Sequence, residues 1–385
     1  MFTPLKNLPE GKNWTLEELN DREVQLLIPV IIYMSITMVV GTVGNALVLY
    51  VNIFVIKLRQ STHRYCITFL ALVDIAFCVI GKPFSLMVLT HPYTFPNILV
   101  CKTLRAFSYF ICCLSILILF TIAFDRYRRI CRPHGNQFSV RSMQRTFGTI
   151  VVICFILSIP CFILYGNNTV QTGIANITGI QCFQDDTYKN TMFYNGYIMF
   201  LYSILIILTA LMSLFYLLVW REVKNHVNEI DRNAVSCATE ANMCCGSTGI
   251  YKVEMSPETT ITQSHHNVQE TSKTGVDPGK YASEEIIGRV SKKAHSRAKN
   301  IRVSKILFVV SASFVLSFTP FLFLEILTLS DEQLIVNLDN ASTVFYQLFW
   351  RSVALHFVVN PFIYNVMDRK FKMHCKSFVS NKLCH

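Results

Sequence analysis

Apolar positions along this chain are not scattered; they fall in long blocks separated by short polar stretches. The blocks run from about Leu26 to Ile56, Cys66 to Leu89, a third ending at Asp125-Arg126-Tyr127, Phe147 to Tyr165, Phe193 to Trp220, Ile301 to Leu329, and Thr343 to Met367. A helix of ~20 apolar residues crosses the ~30 Å hydrocarbon layer of a bilayer. The pattern therefore predicts an all-α integral membrane protein, a bundle of seven transmembrane helices. Residues 1–25 form a polar segment ahead of the bundle domain, 26–367, and residues 368–385 form a short basic tail. Between the fifth and sixth blocks, residues 221–300 turn rich in Ser, Thr, Asn, Lys and Glu, which predicts a long, largely disordered loop. Asp368 to Phe378 is basic and amphipathic, as expected of a helix lying on the membrane surface.

Composition agrees with this picture. The chain is 52% hydrophobic and 15% charged, with mean hydropathy +0.40, whereas a soluble domain carries ~25% charged residues. The formal charge of +11 would suit nucleic acid if the basic residues formed one face. They lie instead in alternate connections, such as Arg128, Arg129, Arg132, Arg141 and Arg145 after the third block. By the positive-inside rule these connections are cytoplasmic, which leaves no nucleic-acid surface and suits anionic lipid headgroups. The N-terminus is then extracellular, the C-terminus cytoplasmic, and the location the plasma membrane. The glycosylation sequons at Asn13, Asn167, Asn176 and Asn340 all fall on the outer side. The polar first segment lacks a basic-then-apolar leader, so the first block serves as an uncleaved signal anchor. Most of the 14 cysteines lie in apolar blocks as small hydrophobes, and none has metal-site spacing. No internal repeat suggests a duplicated transporter.

A few residues carry chemistry. Asp74 lies deep in the second block, where an ionisable group is costly and a functional candidate by default; its bland reading is a protonated packing acid. Asn360-Pro361 joins a polar side chain to a helix breaker, and Pro320 repeats the break in the sixth block. Asp125-Arg126-Tyr127 is either a charged membrane boundary or a switch. No paired carboxylates, metal ligands or activated nucleophile point to an enzyme. A transporter or channel needs a polar path, and Asp74 is nearly alone at depth.

Taken together these residues resemble the rhodopsin-like (class A) G-protein-coupled receptors, and the peptide receptors among them by the character of the outer surface. The likeness rests on Gly44-Asn45-Ala46-Leu47-Val48 in the first span, Leu70-Ala71-Leu72-Val73-Asp74 in the second and Cys101 with Asp125-Arg126-Tyr127 in the third. It continues with Tyr216 in the fifth, Phe314, Phe318 and Pro320 in the sixth, Asn360-Pro361-Phe362-Ile363-Tyr364 in the seventh, and Phe371 after it. The resemblance implies a switch in which Tyr364 meets Tyr216 and Arg126 when the inner ends rearrange, with Phe314 and Phe318 as levers. It implies a sodium pocket at Asp74, Asn45, Ser115 and Asn360, although Phe357 stands where a small polar residue is usual. Cys101 and Cys182 match the family's disulfide, with Cys161 a rival, and Cys375 is a palmitoylation candidate, with Cys384 beside it. Partners implied are a heterotrimeric G protein, then arrestin and receptor kinases acting on Ser256, Thr259, Thr260, Thr262 and Ser264. Apart from the sodium ion no cofactor is implied. The chain departs from the family in lacking a fourth-span Trp, a fifth-span Pro and a sixth-span acid to lock Arg126.

For the ligand, Ser108 stands where amine receptors carry an aspartate, and Ala354 where opsins carry the retinal lysine. Glu17, Glu18, Asp21, Glu23, Asp185, Asp186, Asp331, Glu332 and Asp339 make the outer side acidic. That field predicts a basic neuropeptide or peptide hormone. The candidate pocket residues are Ser108, Tyr109, Glu325, Arg105, Arg351 and Asp185. Arg105 and Arg351, with Lys82, also allow a carboxylate or lipid ligand.

Overall fold

A computed structural model describes residues 13–55, 62–174, 176–189, 191–244, 278–330, 338–369 and 371–376. The basic loop at 57–61, the Ser/Thr positions 256–264, Asp331, Glu332, Ser380 and Cys384 lie outside the described residues. The chain divides into two units, Met1–Val219 with Arg302–His385, and Trp220–Ile301.

The first unit is a helix bundle. α1 (Leu16–Leu26) is an outer helix that the polar sequence does not advertise. Its start is fixed by a capping box: Thr15 accepts from the Glu18 backbone N–H, and the Glu18 carboxylate accepts from the Thr15 N–H. α2 (Ile28–Tyr50) follows after one residue, with a proline in its first turn, and ends in a wider π-helical turn over Val51–Val55. The second span is α3 (Thr62–Ala76), a π turn over Phe77–Gly81, and α4 (Lys82–Thr90). α5 (Ile98–Cys131) and α6 (Val140–Leu164) are capped by the side chains of Asn97 and Ser139. α7 (Met192–Cys244) and α8 (Pro278–Ser330) contribute their apolar parts, before Val219 and after Arg302, to this unit.

Among the described residues, six helices are long and apolar enough to cross a membrane. The seventh span is broken into α9 (Asn340–Trp350), a 3-10 turn over Ser352–Leu355, and α10 (His356–Met367), which contains Pro361. The break explains why no single long helix covers it. Residues 371–376 are helical and amphipathic: Phe371 and Cys375 are buried, Lys372, Met373 and Lys376 exposed. The core gathers α3, α5, α6 and α10 around Leu70, Leu119, Ile122, Phe314 and Phe357. Large apolar side chains such as Val43, Phe155, Ile207 and Leu316 remain exposed on the outside of the helices, as a lipid-facing surface requires.

The outer connection between α6 and α7 forms a hairpin, β1 (Tyr165–Gln171) against β2 (Thr178–Gln184), with Asn167 opposite Cys182. A disulfide joins Cys101 at the start of α5 to Cys182 in β2. Closing a loop across 81 residues removes unfolded-state entropy worth about 4–5 kcal/mol in the chain-entropy description. Cys161, the rival, is a free buried thiol. The second unit, by itself, holds the end of α7, where Lys224 lies over the Trp220 ring at 5.3 Å, and the start of α8.

Candidate functional site

The outer end of the bundle holds a cavity of about 470 Å³. Many aromatic side chains line it, among them Tyr109, Tyr165, Tyr194, Tyr202, Phe321 and Trp350. Of the candidate pocket residues, Arg105, Ser108, Tyr109, Glu325 and Arg351 line it. Asp185 does not. Its carboxylate accepts from the Thr187 N–H and caps the short turn Asp186–Tyr188. Lys82 is also outside the lining.

Arg105 is held on three sides. Its guanidinium lies 5.3 Å from the centres of the Phe84 and Tyr165 rings and donates to the Cys182 carbonyl at 3.0 Å. The disulfide thus places the carbonyl that positions this arginine. Its Nε is buried without a hydrogen-bond partner. Arg351 donates to the side chain and carbonyl of Gln347, and it lies within electrostatic range of Arg105. Glu325 lines the cavity beside Tyr202. The cavity thus holds both planar guanidinium donors and an acid.

Several of the outer acids make local hydrogen bonds, while Glu17, Asp21, Asp186 and Asp339 remain exposed. Glu18 closes the capping box. Asp186 accepts from the Thr169 N–H and hydroxyl. Asp339 caps α9 through Ser342, which holds its carboxyl below the usual range. Glu23 is 1% exposed and burial pushes its pKa up to about 7. Of the sequon asparagines, Asn13, Asn176 and Asn340 are exposed, and Asn167 is half-buried in the hairpin ladder.

Phe318 forms part of the cavity wall. It stacks on Phe314 at 4.2 Å, and Phe314 meets His356 edge-on at 5.0 Å. His356 is fully buried, and neither ring nitrogen has a hydrogen-bond partner. Sequence reasoning passed over this histidine; its only signal was a polar residue inside an apolar run. One residue on, Phe357 stacks on Phe77 at 4.0 Å, and its carbonyl accepts from Asn45 at 2.8 Å. Asn360 donates to Asp74 at 2.7 Å. Ser115 is buried here too. Of the residues implied as a sodium pocket, the structure joins Asn360 to Asp74 and Asn45 to the Phe357 carbonyl.

At the inner end of α5, Asp125 and Arg126 form a buried ion pair. A second arginine joins them: Arg129 Nε donates to both Asp125 oxygens at 3.0 Å. Arg129 also donates to the Thr62 hydroxyl and the Phe138 carbonyl, each at 2.8 Å. Asp125 is thus clamped by two cations. The i,i+4 spacing of Asp125 and Arg129 was legible in the sequence; the tie from Arg129 to α3 was not. Tyr127 stacks on Phe215 at 5.3 Å. Tyr216 bonds the Leu307 carbonyl at 3.1 Å and the Ser311 hydroxyl at 3.0 Å, both on α8. Tyr364 has a buried hydroxyl with no partner and packs edge-on against Phe371. The structure therefore does not join Tyr364 to Tyr216 or Arg126. Cys375 is buried, which pushes its thiol pKa up.

Residues 44–364 match the family model described as 7 transmembrane receptor (rhodopsin family). The chain belongs to that family. The receptor is 27% identical over 201 residues to nematocin receptor 2 of Caenorhabditis elegans, covering 50% of this chain and 48% of that protein. It is 25% identical over 221 residues to the mouse (Mus musculus) neuropeptide S receptor, with 56% of each chain covered. It is 24% identical over 368 residues to human (Homo sapiens) G-protein coupled receptor 84, covering 87% and 88%. The chain thus spans about half the length of the first two relatives. Membership places the protein in a membrane-spanning receptor family rather than among enzymes.

Proposed function

We propose that this receptor binds an extracellular peptide in the outer cavity and activates a heterotrimeric G protein at its inner end. One observation supports the reading above others: a continuous line of buried groups leads inward from the cavity. Phe318 touches the cavity; Phe314 and His356 continue the line to Phe357, Asn45, Asn360 and Asp74. Below them lies Arg126, held by Asp125. A ligand that moves Phe318 can alter the packing of this line, because packed side chains have discrete arrangements. An agonist shifts the population only by its differential affinity for the two arrangements. In the active arrangement Arg126 leaves Asp125 and meets the G protein, while Tyr216 exchanges Leu307 and Ser311 for Tyr364.

The ligand chemistry follows from the cavity. Arg105 and Arg351 suit a carboxylate, and Glu325 suits a basic or amide-donating group. A short peptide with a free C-terminus satisfies both. The arginines and aromatic wall also favour a second reading, a lipid or small carboxylate. A peptide library screened on the expressed receptor, with a broad G-protein activation readout, tests the first. Amidating the C-terminus of an active peptide should cut potency at least tenfold, and Glu325→Gln should weaken peptides with a basic residue. Activation by carboxylates lacking any peptide, with no active peptide in the library, supports the second reading instead. Arrestin recruitment and phosphorylation at Ser256 to Ser264 remain part of the same proposal.

A further inference from the structure

The outer wall of the cavity is held from outside the bundle, by α1. Asn20 on that helix donates to the Thr90 carbonyl at 3.2 Å and accepts from the Tyr93 N–H at 3.2 Å and the Thr94 hydroxyl at 3.0 Å. The segment so fixed brackets Ile180 in β2. The Tyr93 carbonyl accepts from the Ile180 N–H at 2.7 Å, and the Phe95 N–H donates to the Ile180 carbonyl at 3.0 Å. This parallel bridge adds to the β1–β2 pairing. The approach is close: a Cβ on Gly179 would meet the Tyr93 Cα and carbonyl oxygen at 3.0 Å, so glycine is what lets the two backbones meet. Two residues beyond Ile180, Cys182 lines the cavity and its carbonyl holds Arg105. Hydrogen bonds thus run from α1 through residues 90–95 to the strand that walls the cavity.

Glu23 lies one turn from Asn20 on the same face of α1. Its side chain is buried, and Oε1 has no hydrogen-bond partner. Among the described residues no cation pairs with it. Arg22, its neighbour, lies over the Trp14 ring at 5.5 Å. Of the helices packed on α1, α2 carries Tyr33, whose hydroxyl donates to the Arg351 carbonyl, and α4 carries Lys82 at the end opposite Thr90. The loop after α4 carries His91, whose Nδ1 lies 3.0 Å from the Thr90 hydroxyl, and Tyr93, a buried phenol within the field of Glu23. None of these bonds Oε1. A carboxylate so enclosed is costly to ionise, while its protonated form is not.

We propose that Glu23 is a binding site for the extracellular proton, and that its ionisation releases α1 and loosens the β2 wall of the cavity. Acid keeps α1 docked and Arg105 in place; alkali loosens both. The consequence for ligand affinity rests on the outer cavity being the ligand site; the consequence for the wall does not. Docking raises the Glu23 pKa from 4.5 to about 7, so it is fully supported below 4.5 and weakens as pH rises through 7. Linkage makes opening about tenfold more frequent at pH 8 than at pH 6.

The test is hydrogen–deuterium exchange of the full-length receptor in lipid nanodiscs at pH 6 and pH 8, corrected for intrinsic exchange, on peptides covering residues 14–27, 90–97 and 178–184. Wild type is expected to lose protection about tenfold at pH 8 in all three. Glu23→Gln, neutral at both pH values, is expected to stay protected at both. Asn20→Ala, which cuts the clasp and leaves the acid, is expected to lower protection of 90–97 and 178–184 already at pH 6. Equal protection of wild type at the two pH values would overturn the proposal, as would a pH dependence that survives Glu23→Gln. A loss confined to 14–27 would overturn the link to the wall. If Glu23→Gln does not fold, Glu23→Met takes its place with the same expected and contrary results. The readout needs no ligand, so its failure is distinct from failure of the peptide reading.

Discussion

Arg126 owes its position to Asp125, and Asp125 is shared. The carboxylate faces Arg126 and Arg129 at once, so part of its charge is committed to the tie that links α5 to Thr62 and Phe138. Removing one partner of a buried pair leaves the other charge uncompensated, at a cost of about 3–5 kcal/mol. Asp125→Asn should therefore raise ligand-free signalling several-fold at matched surface expression; unchanged signalling would count against the restraint. Arg129→Gln tests the other half of the clamp. It should also raise basal signalling, less than Asp125→Asn does, because Arg126 keeps its acid. The absence of an acid at the inner end of the sixth span was legible in the sequence, since residues 299–305 contain none. The second arginine on Asp125 was readable as i,i+4 spacing, but Thr62 and Phe138 come from elsewhere in the chain and no local pattern names them.

Elements tell a similar story about local and non-local information. The transmembrane helices follow directly from apolar blocks, whose lengths a bilayer fixes. α1 and the hairpin do not. α1 is polar on one side and buries Leu19, Asn20 and Glu23 on the other. Asn20 accepts from the Tyr93 N–H and the Thr94 hydroxyl and donates to the Thr90 carbonyl. That docking is decided by partners some 70 residues away, and only Thr15-x-x-Glu18 hints at it locally. Glu23 makes the docking sensitive to pH. Its folded pKa of about 7 lies above the ordinary 4.5. The folded state thus binds the proton more tightly, and stability is lost as pH rises from the ordinary value through 7. The loss amounts to at most about 3 kcal/mol by pH 8. Glu23→Gln should flatten this dependence and melt higher than wild type at pH 8, with little difference at pH 5. A pH profile unchanged by the substitution would contradict it. The link between α7 and α8 offers another test. Ser311→Ala removes one of the two hydrogen bonds to Tyr216, worth about 1 kcal/mol, and should raise basal signalling up to about fivefold.

On the scale of the molecule, the outer cavity, the mid-bundle polar level and the inner ion pair are stacked along one bundle. Family membership makes the protein a receptor; in the proposed function, occupancy above changes charge pairing below through the interior. The sequence marked nearly every residue on that route because helix breaks and buried charges are rare in membrane spans. It missed His356, and it placed Asp185 in the pocket, because the hydrogen bonds of Asp185, Asp186 and Asp339 depend on the loops that fold against them. The central claim is that the Asp125–Arg126 pair holds the receptor off and that Arg126 turns it on. The most direct measurement is ligand-free nucleotide exchange by a panel of purified Gα proteins with nanodisc-embedded receptor. Asp125→Asn should accelerate exchange on at least one of them, and Asp125→Asn/Arg126→Ala should return it to the rate without receptor. Exchange by the double variant as fast as by Asp125→Asn would contradict that claim.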